Sequence, residues 1–378
     1  MHGTIAFRVD WSTRIGLGHL QRCRSLIDAL ALRQLDGLLV TGAQSLAEGR
    51  SGTAPAPATI RLPAEPPSSA ASGAASAAGS RARNRDVEEL LPAEAQLHDA
   101  GATVAALRGR QVRAVVVDHY GLDATWESHV RAQLGVPVVA IDGVARRRHI
   151  AEVVIDPADV RDDTGRWAGL VPPGTRLLRG PRFAPVAPSF QDALARRPHR
   201  DGQLRRLLVS FGGSDPHGLT HRSLDALEYL PHHDLSVDVV VGAGYREPAA
   251  VEARCARLPW ARFHHATSQM AQLMAAADLA IGAGGMTIYE RAFLGLPAIV
   301  VVTASNQAQQ VAEVASAGAI RVLGTAAEVA AADLAAALAA LDAEPAQVRR
   351  MSQDARRLMG QETVPGSLLV ADEIRAVL

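Results

Sequence analysis

The sequence predicts an α/β protein built from two parallel-sheet domains that face one another across a cleft. Three observations carry this expectation. Short apolar runs alternate with helix-length stretches through both halves of the chain, the pattern of strands buried on both faces and joined by crossover helices. At 378 residues, the chain is longer than one hydrophobic core comfortably serves. A Pro-containing segment, Pro181 to Pro198, separates two such alternating series.

In the first series Thr4–Val9 reads as a strand and Leu20–Leu35 as a helix, with Leu20, Cys23, Ile27 and Leu30 at helical spacing. Leu38–Thr41, Ala114–Val117 and Val136–Ile141 read as further strands. Between Glu48 and Arg85 the composition turns to Ala, Ser, Pro, Gly and Arg, too little apolar surface to order itself, so residues 48–85 are expected to be a low-complexity insertion. The second series runs through a strand at Leu207–Phe211, a helix at Thr220–Leu230 and a strand at Val237–Val241. A helix at Ser268–Ala277, a strand at Leu279–Ile281, a helix at Thr287–Leu294 and a strand at Ala298–Val302 follow. The expected division is residues 1–200 and 201–378, each a Rossmann-like domain with ligands at the carboxyl ends of its strands.

Composition removes several function classes. The formal charge is zero with no long basic run, which argues against nucleic acid as a partner. All 39 basic residues are arginine, so a lysine Schiff base and a P-loop are excluded. Two cysteines, Cys23 and Cys255, are too few for a disulfide framework. The Ala-rich run near Ala326–Leu341 carries Glu328 and Asp333 and is not a membrane span. The first ten residues read as a strand and not as a signal peptide, so a cytoplasmic location is expected. No HExxH, paired-cysteine or DxD-like cluster marks a metal site, and no cofactor is expected. A G-x-S-x-G nucleophile elbow is absent as well.

The first strand–helix junction reads Arg8-Val-Asp10 and then Arg14-Ile-Gly16-Leu-Gly18-His19. Gly16 and Gly18 let backbone approach a ligand, and His19 at the mouth of the sheet suits a general base. Capping the helix is an equal alternative for that histidine. Asp10 is expected to orient His19 or bind a sugar hydroxyl, with an Asx-turn as the plainer role. Asp118-His119-Tyr120 follows a strand and forms a candidate substrate lip, whereas His149 and Arg146–Arg148 read as a solvated loop or a structural hydrogen-bond cluster. In the second half Gly213 permits close approach of a phosphate, and Asp215-Pro216 also fits an ordinary helix cap. Gly284-Gly285-Met286-Thr287 and Glu290 join a strand to a helix. That turn is either an anion site with Glu290 on a ribose or a T-x-x-E capping box. Asn306 and Gln307 complete the polar groups expected to face the cleft.

Taken in order, Arg8-Val-Asp10, Gly16 through Cys23, Val117 through Asp123 and Phe211 through Asp215 resemble one known family. The match continues through Leu279–Gly285, Tyr289-Glu290-Arg291, Leu294–Pro297 and Asn306-Gln307. The family is the UDP-2,4-diacetamido-2,4,6-trideoxy-β-L-altropyranose hydrolases, which act in the biosynthesis of pseudaminic acid, a nonulosonic acid. The resemblance implies a GT-B fold related to MurG-type glycosyltransferases. It further implies that His19 activates water, that the anomeric carbon is attacked with inversion, and that UDP leaves without a metal. The UDP would lie on the carboxy-terminal domain, with Glu290 on ribose, Gly284 and Gly285 on phosphate, and Asn306 near the sugar or diphosphate. Arg14, Gly16, Gly18, Asp118, Tyr120, Gly213, Met286, Thr287 and Gln307 complete the expected binding set, with a UDP-sugar as small-molecule partner and neither nucleic acid nor membrane expected. Three stretches depart from the pattern: Gly143 stands where the family carries a second Asp, Asp156-Pro157-Ala158 replaces Asp-Gln-Asn, and Leu178 to Phe190 matches only loosely. Two other readings stay open: a glycosyltransferase using a hydroxyl acceptor, and a binding protein without turnover.

Overall fold

The computed structural model describes residues 3–12, 17–43, 45, 57–63, 89–160, 165–229 and 235–378. In chain order, β1 (Thr4–Val9), α1 (Gly18–Ala31), β2 (Asp36–Thr41), β3 (Ala58–Arg61) and α2 (Ala93–Leu107) come first. They are followed by β4 (Val112–Asp118), α3 (Ala124–Leu134), β5 (Val138–Ile141), β6 (Val153–Asp156) and β7 (Arg176–Arg179). Next are α4 (Ser189–Arg196), β8 (Arg206–Ser210), α5 (Leu219–Glu228), β9 (Ser236–Val241), α6 (Pro248–Cys255), β10 (Ala261–His265) and α7 (Met270–Ala276). The chain continues through β11 (Leu279–Ala283), α8 (Thr287–Phe293), β12 (Ala298–Val302), α9 (Ala308–Ser316) and β13 (Ile320–Thr325). It closes with α10 (Ala331–Asp342), α11 (Pro345–Leu358) and α12 (Gly366–Ala376).

Among the described residues the strands form two sheets, ordered β3-β2-β1-β4-β5-β6-β7 and β10-β9-β8-β11-β12-β13. Every strand pairing is parallel. Alternation along each strand feeds the two faces. Ile5, Phe7 and Val9 pack under α1 with Cys23, Leu26 and Leu30, while Ala6, Val115 and Val117 face α2 and α3 with Val104, Trp126 and Val130. In the second sheet Leu207 and Val209 face Leu224, Val251 and Leu338, and Leu208 faces Met274 and Phe293. The strand order reverses between β1 and β4 in one sheet and between β8 and β11 in the other. In open parallel sheets a ligand crevice opens at that point, outside the carboxyl ends of the strands.

Two expectations need correction. Part of the 48–85 insertion is ordered: β3 lies inside it and pairs with β2 through Leu38↔Ala58 to Thr41↔Arg61. Its Ala-Thr-Ile-Arg segment has enough β-branched character to add an edge strand, and Leu62 just after it is buried. The other described residues there are 57 and 63, and the rest of the insertion lies outside the described residues. The expected division at residue 200 does not follow the packing either. Ala184, Val186, Phe190 and Ala193, in the segment read as a linker, belong to the core beneath β11 and β12. The last helix, α12, returns to the first domain and buries Leu368, Val370, Ala371 and Ile374 with the β1 and α1 residues.

Candidate active site

His19 is the second residue of α1 and is 6% exposed. Its Nδ1 lies 2.7 Å from Asp118 Oδ1, at the end of β4. The parallel register that pairs Val9 with Asp118 brings this carboxylate to the β1–α1 junction. Helical spacing does the rest: His19, Arg22 and Cys23 are at i, i+3 and i+4, so all three reach the same group. Arg22 donates to both oxygens of Asp118 through Nε and Nη2, and the Cys23 thiol lies 3.6 Å from Oδ2. Burial pushes Asp118 upward, but Arg22 and His19 outweigh it and hold the carboxyl below its ordinary range. An ionised Asp118 accepts the Nδ1 proton of His19, which leaves the Nε2 lone pair as the basic atom. Burial holds His19 below its ordinary value, against the upward pull of Asp118. The Tyr120 ring meets the imidazole edge-on at 4.8 Å between centroids, and the Arg147 guanidinium lies 5.5 Å from the centre of the Tyr120 ring.

The carboxylate that orients His19 is therefore Asp118 and not Asp10. Asp10 pairs with Arg8, at 2.6 and 3.1 Å, accepts the Gly42 backbone N–H at 2.7 Å, and lies 3.2 Å from His119 Nε2. The Gly121 N–H donates to His119 Nδ1 at 3.0 Å, so His119 turns its Nε2–H toward Asp10. Arg8 also pairs with Asp99, which accepts Trp126 Nε1–H at 2.8 Å. This group ties the ends of β1, β2 and β4 together and fixes the floor of the site. Asp118, expected as a substrate lip, is fully occupied beneath His19. Gly18 is the first residue of α1, and a Cβ there would meet nothing. Arg14 and Gly16 lie outside the described residues.

Of the residues read as a solvated loop or a structural cluster, His149 and Arg147 form a cluster, whereas Arg146 and Arg148 are exposed. His149 is held by Glu127 at 2.6 Å and Asp142 at 3.0 Å. Burial disfavours its charge, yet the Asp142 and Glu127 bonds raise it to about 9. Arg147 bonds Asp142 and the His119 carbonyl, so this network carries Arg147 to Tyr120. Asp156, beside the replaced family residues, is buried and accepts from Arg166 at 2.7 Å and Trp167 at 3.1 Å.

In the second domain Asp215 accepts the backbone N–H groups of Leu219 and Thr220, at 3.0 and 2.8 Å. Its carboxylate thus satisfies the first two N–H groups of α5, but Gly218 holds the N-cap position and Pro216 lies before the helix, so Asp215-Pro216 is not the ordinary cap-and-proline pair that the sequence also fits. Gly213 lies against the first domain, where a Cβ would come 2.9 Å from Leu17 Cδ1, two residues before His19. Gly284 and Gly285 differ in what they permit. A Cβ on Gly284 would fall 2.1 Å from Val311 Cγ2 of α9, so glycine there is a packing requirement. At Gly285 the nearest atom is Gln307 Nε2 at 3.7 Å, leaving the backbone open to approach. Met286 is partly buried against the core. The T-x-x-E capping box is absent: α8 starts at Thr287 itself, with no side-chain cap. Glu290 is partly buried, its carboxylate has no hydrogen-bond partner among the described residues, and burial pushes it up to about 7. Gln307 turns back to accept from the N–H and hydroxyl of Thr303, both at 3.1 Å, while Asn306 stays exposed. Among the described residues no helix is long and apolar enough to cross a membrane.

Composition and motif order assign no role to Arg22, Cys23, Arg8 or Asp99, and only a loop or structural role to Arg147, all of which the structure brings to the site. Only the first two carry a local signal, the i, i+3, i+4 spacing from His19.

Residues 207–363 match the model of the glycosyltransferase family 28 C-terminal domain, a span that stops just short of α12. Over 155 residues the chain is 34% identical to the spore coat polysaccharide biosynthesis protein SpsG of Bacillus subtilis, which is 40% of this chain and 44% of that protein. The chain thus spans less than half the length of this curated relative. Among solved structures, MurG of Acinetobacter baumannii superposes with a TM-score of 0.59 at 15% identity, covering 100% of both chains. The spinosyn rhamnosyltransferase SpnG, complexed with thymidine diphosphate, superposes with a TM-score of 0.61 at 17% identity, covering 99% of this chain and 100% of that one. Two parallel-sheet domains with this strand order and these structural matches give the chain the GT-B fold, and its second half is similar to the glycosyltransferase family 28 C-terminal domain.

Proposed function

We propose that the chain is an enzyme that breaks the anomeric C–O bond of a UDP-sugar, with His19 as general base. The single observation that carries this reading is the His19–Asp118 pair at the switch point of one sheet, with Leu17, two residues before His19, against Gly213 of the other domain. In the proposed step a hydroxyl oxygen attacks the anomeric carbon as His19 Nε2 takes its proton. The bond to the diphosphate oxygen breaks on the opposite face, and its electron pair leaves with UDP, inverting the centre. Backbone N–H groups at Gly213 and Gly285 are assigned to the diphosphate, Glu290 to the ribose, and Tyr120 and Asn306 to the sugar.

The nucleophile separates two forms of this reading. Transfer to an acceptor hydroxyl is supported by the family 28 domain and the glycosyltransferase folds. Hydrolysis, as in the pseudaminic acid pathway enzymes that the motifs resemble, is favoured by the 6% exposure of His19, which suits a nucleophile as small as water. The test is to offer UDP-2,4-diacetamido-2,4,6-trideoxy-β-L-altrose and other UDP-amino sugars, with and without hydroxyl acceptors, and to follow UDP and the anomeric signals by NMR. UDP is expected from the wild type, and His19→Ala should lower turnover by about 10²- to 10⁴-fold. UDP released in water alone selects hydrolysis, and release that requires an acceptor selects transfer. No release under any condition would sink the reading.

The unpartnered Glu290 adds a pH test. An ionised carboxylate accepts from ribose hydroxyls on both oxygens and more strongly than the neutral acid, and this one is raised to about 7. KM for the UDP-sugar is therefore expected to rise as pH falls through about 7, with kcat less affected. Glu290→Gln should give a weak, pH-flat KM, whereas an unchanged pH dependence in that variant would remove Glu290 from nucleotide binding.

A further inference from the structure

Arg22 is one turn along α1 from His19, with its side chain 11% exposed. Its Nε and Nη2 donate to separate oxygens of Asp118, and Nη2 also lies 2.8 Å from His19 Nδ1. With Nδ1 donating its own proton to Asp118, that last contact is a cation set beside the ring and not a second hydrogen bond. A lone carboxylate against a histidine favours the imidazolium. An imidazolium has no lone pair and cannot take a proton from a nucleophile. The dyad thus holds a conflict: the group that orients the base also tends to protonate it.

We propose that Arg22 is a positioning residue that resolves this conflict, by pairing with both oxygens of Asp118 so that Asp118 orients His19 without leaving it charged. The inference rests on His19 acting as the base. The fork geometry of a guanidinium suits the task, since two parallel N–H donors neutralise a carboxylate and fix its plane together. The other groups that face His19 do not take this role. Cys23 is a buried thiol pushed well above its ordinary range by burial, and Tyr120 meets the ring by its edge. His119 is turned to Asp10, Arg147 lies beyond Tyr120, and the Tyr289 hydroxyl of α8 is buried and uncharged. The electrostatic balance at His19 agrees: burial lowers it, Asp118 raises it, and Arg22 lowers it again.

An ordinary buried ion pair, present only to keep Asp118 company, predicts something different. The test compares wild type with Arg22→Met and Arg22→Lys. The His19 ring resonances are titrated by NMR in the free protein, from about pH 5 to about pH 9.5, and kcat/KM for the UDP-sugar is measured over the same range. In Arg22→Met the His19 titration is expected to move up by roughly 1–2 units. The acid limb of kcat/KM should move with it, so that the loss is greatest at low pH and shrinks toward high pH. Arg22→Lys, with the charge but not the fork, should move it less, and carries the test if the Met variant does not fold. Adding Asp118→Asn to either variant should cancel the upward shift. A His19 titration that stays put or falls in the folded variants overturns the proposal, and a pH-independent loss of activity would leave Arg22 a structural residue. Because the titration needs no turnover, an inactive wild type would count against the reaction and not against this inference.

Discussion

Asp118→Asn should lower kcat by roughly 10³- to 10⁴-fold while leaving KM for the UDP-sugar nearly unchanged. The carboxylate accepts the Nδ1 proton of His19 at 2.7 Å and so keeps the Nε2 lone pair free. An asparagine can instead turn its amide N–H toward Nδ1, which moves the ring proton to Nε2 and faces an N–H, not a base, toward the nucleophile. The residues proposed to hold the nucleotide are untouched, which is why KM is expected to hold. The same change leaves the Arg22 guanidinium buried without its anion, so stability should fall by about 3–5 kcal/mol. Steady-state rates corrected for folded fraction, read beside a urea melt, separate the two effects. A kcat within tenfold of wild type in folded protein would remove Asp118 from the mechanism and leave the dyad a structural pair.

The second large effect is expected far from the chemistry. Arg200 is 5% exposed, and its guanidinium donates to the carbonyls of Ala277, Leu294, Met274 and Ala275 at 2.8–3.1 Å and to Gly295 at 3.4 Å. These carbonyls close α7 and α8, where a cation also meets the negative ends of the helices. Burial lowers Arg200 to about 10, which leaves it charged at neutral pH. Arg200→Met would strand several buried carbonyls and should destabilise the second domain by about 3–5 kcal/mol. Arg200→Lys should recover only part, because an ammonium cannot span five carbonyls with a rigid fork. Urea unfolding would measure both, and a loss below about 1 kcal/mol would mean that water replaces the guanidinium without penalty. The folded fraction of Arg200→Met should keep its turnover number, unlike that of Asp118→Asn.

Much of the site is legible in the order of residues alone, for a reason that particular positions illustrate. In parallel α/β sheets the ligand lies beyond the carboxyl ends of strands, so motifs such as Asp118-His119-Tyr120 and Gly284-Gly285 are found simply by reading past each apolar run. Roles are less legible than places. Gly284 and Gly285 look identical in sequence, yet only the packing of Val311 makes one a structural necessity and leaves the other open. Thr287 and Glu290 have the spacing of a capping box, but the helix takes in Thr287 as its first residue and leaves the cap position to Met286. Asp215 does bond the first N–H groups of α5, as the cap reading requires, but from three residues before the N-cap Gly218, an offset that the Asp-Pro pair does not record.

The sequence by itself determined the two alternating series, the buried faces of β1, β4, β8 and β11, and the position of His19 at a strand–helix junction. These are local matters, set by periodicity and glycine. Only the tertiary structure decided which carboxylate His19 meets. Asp10 is close along the chain, but it ends β1 facing Arg8 and Gly42. Asp118 is 99 residues away from His19, and the reversal of strand order sets β4 beside β1 in register. The tertiary structure also returned α12 to the first domain, because its Leu368, Val370 and Ile374 complete the core around α1. Both outcomes depend on contacts between segments far apart in the chain, and no periodicity in one segment records which partner the fold will bring to it.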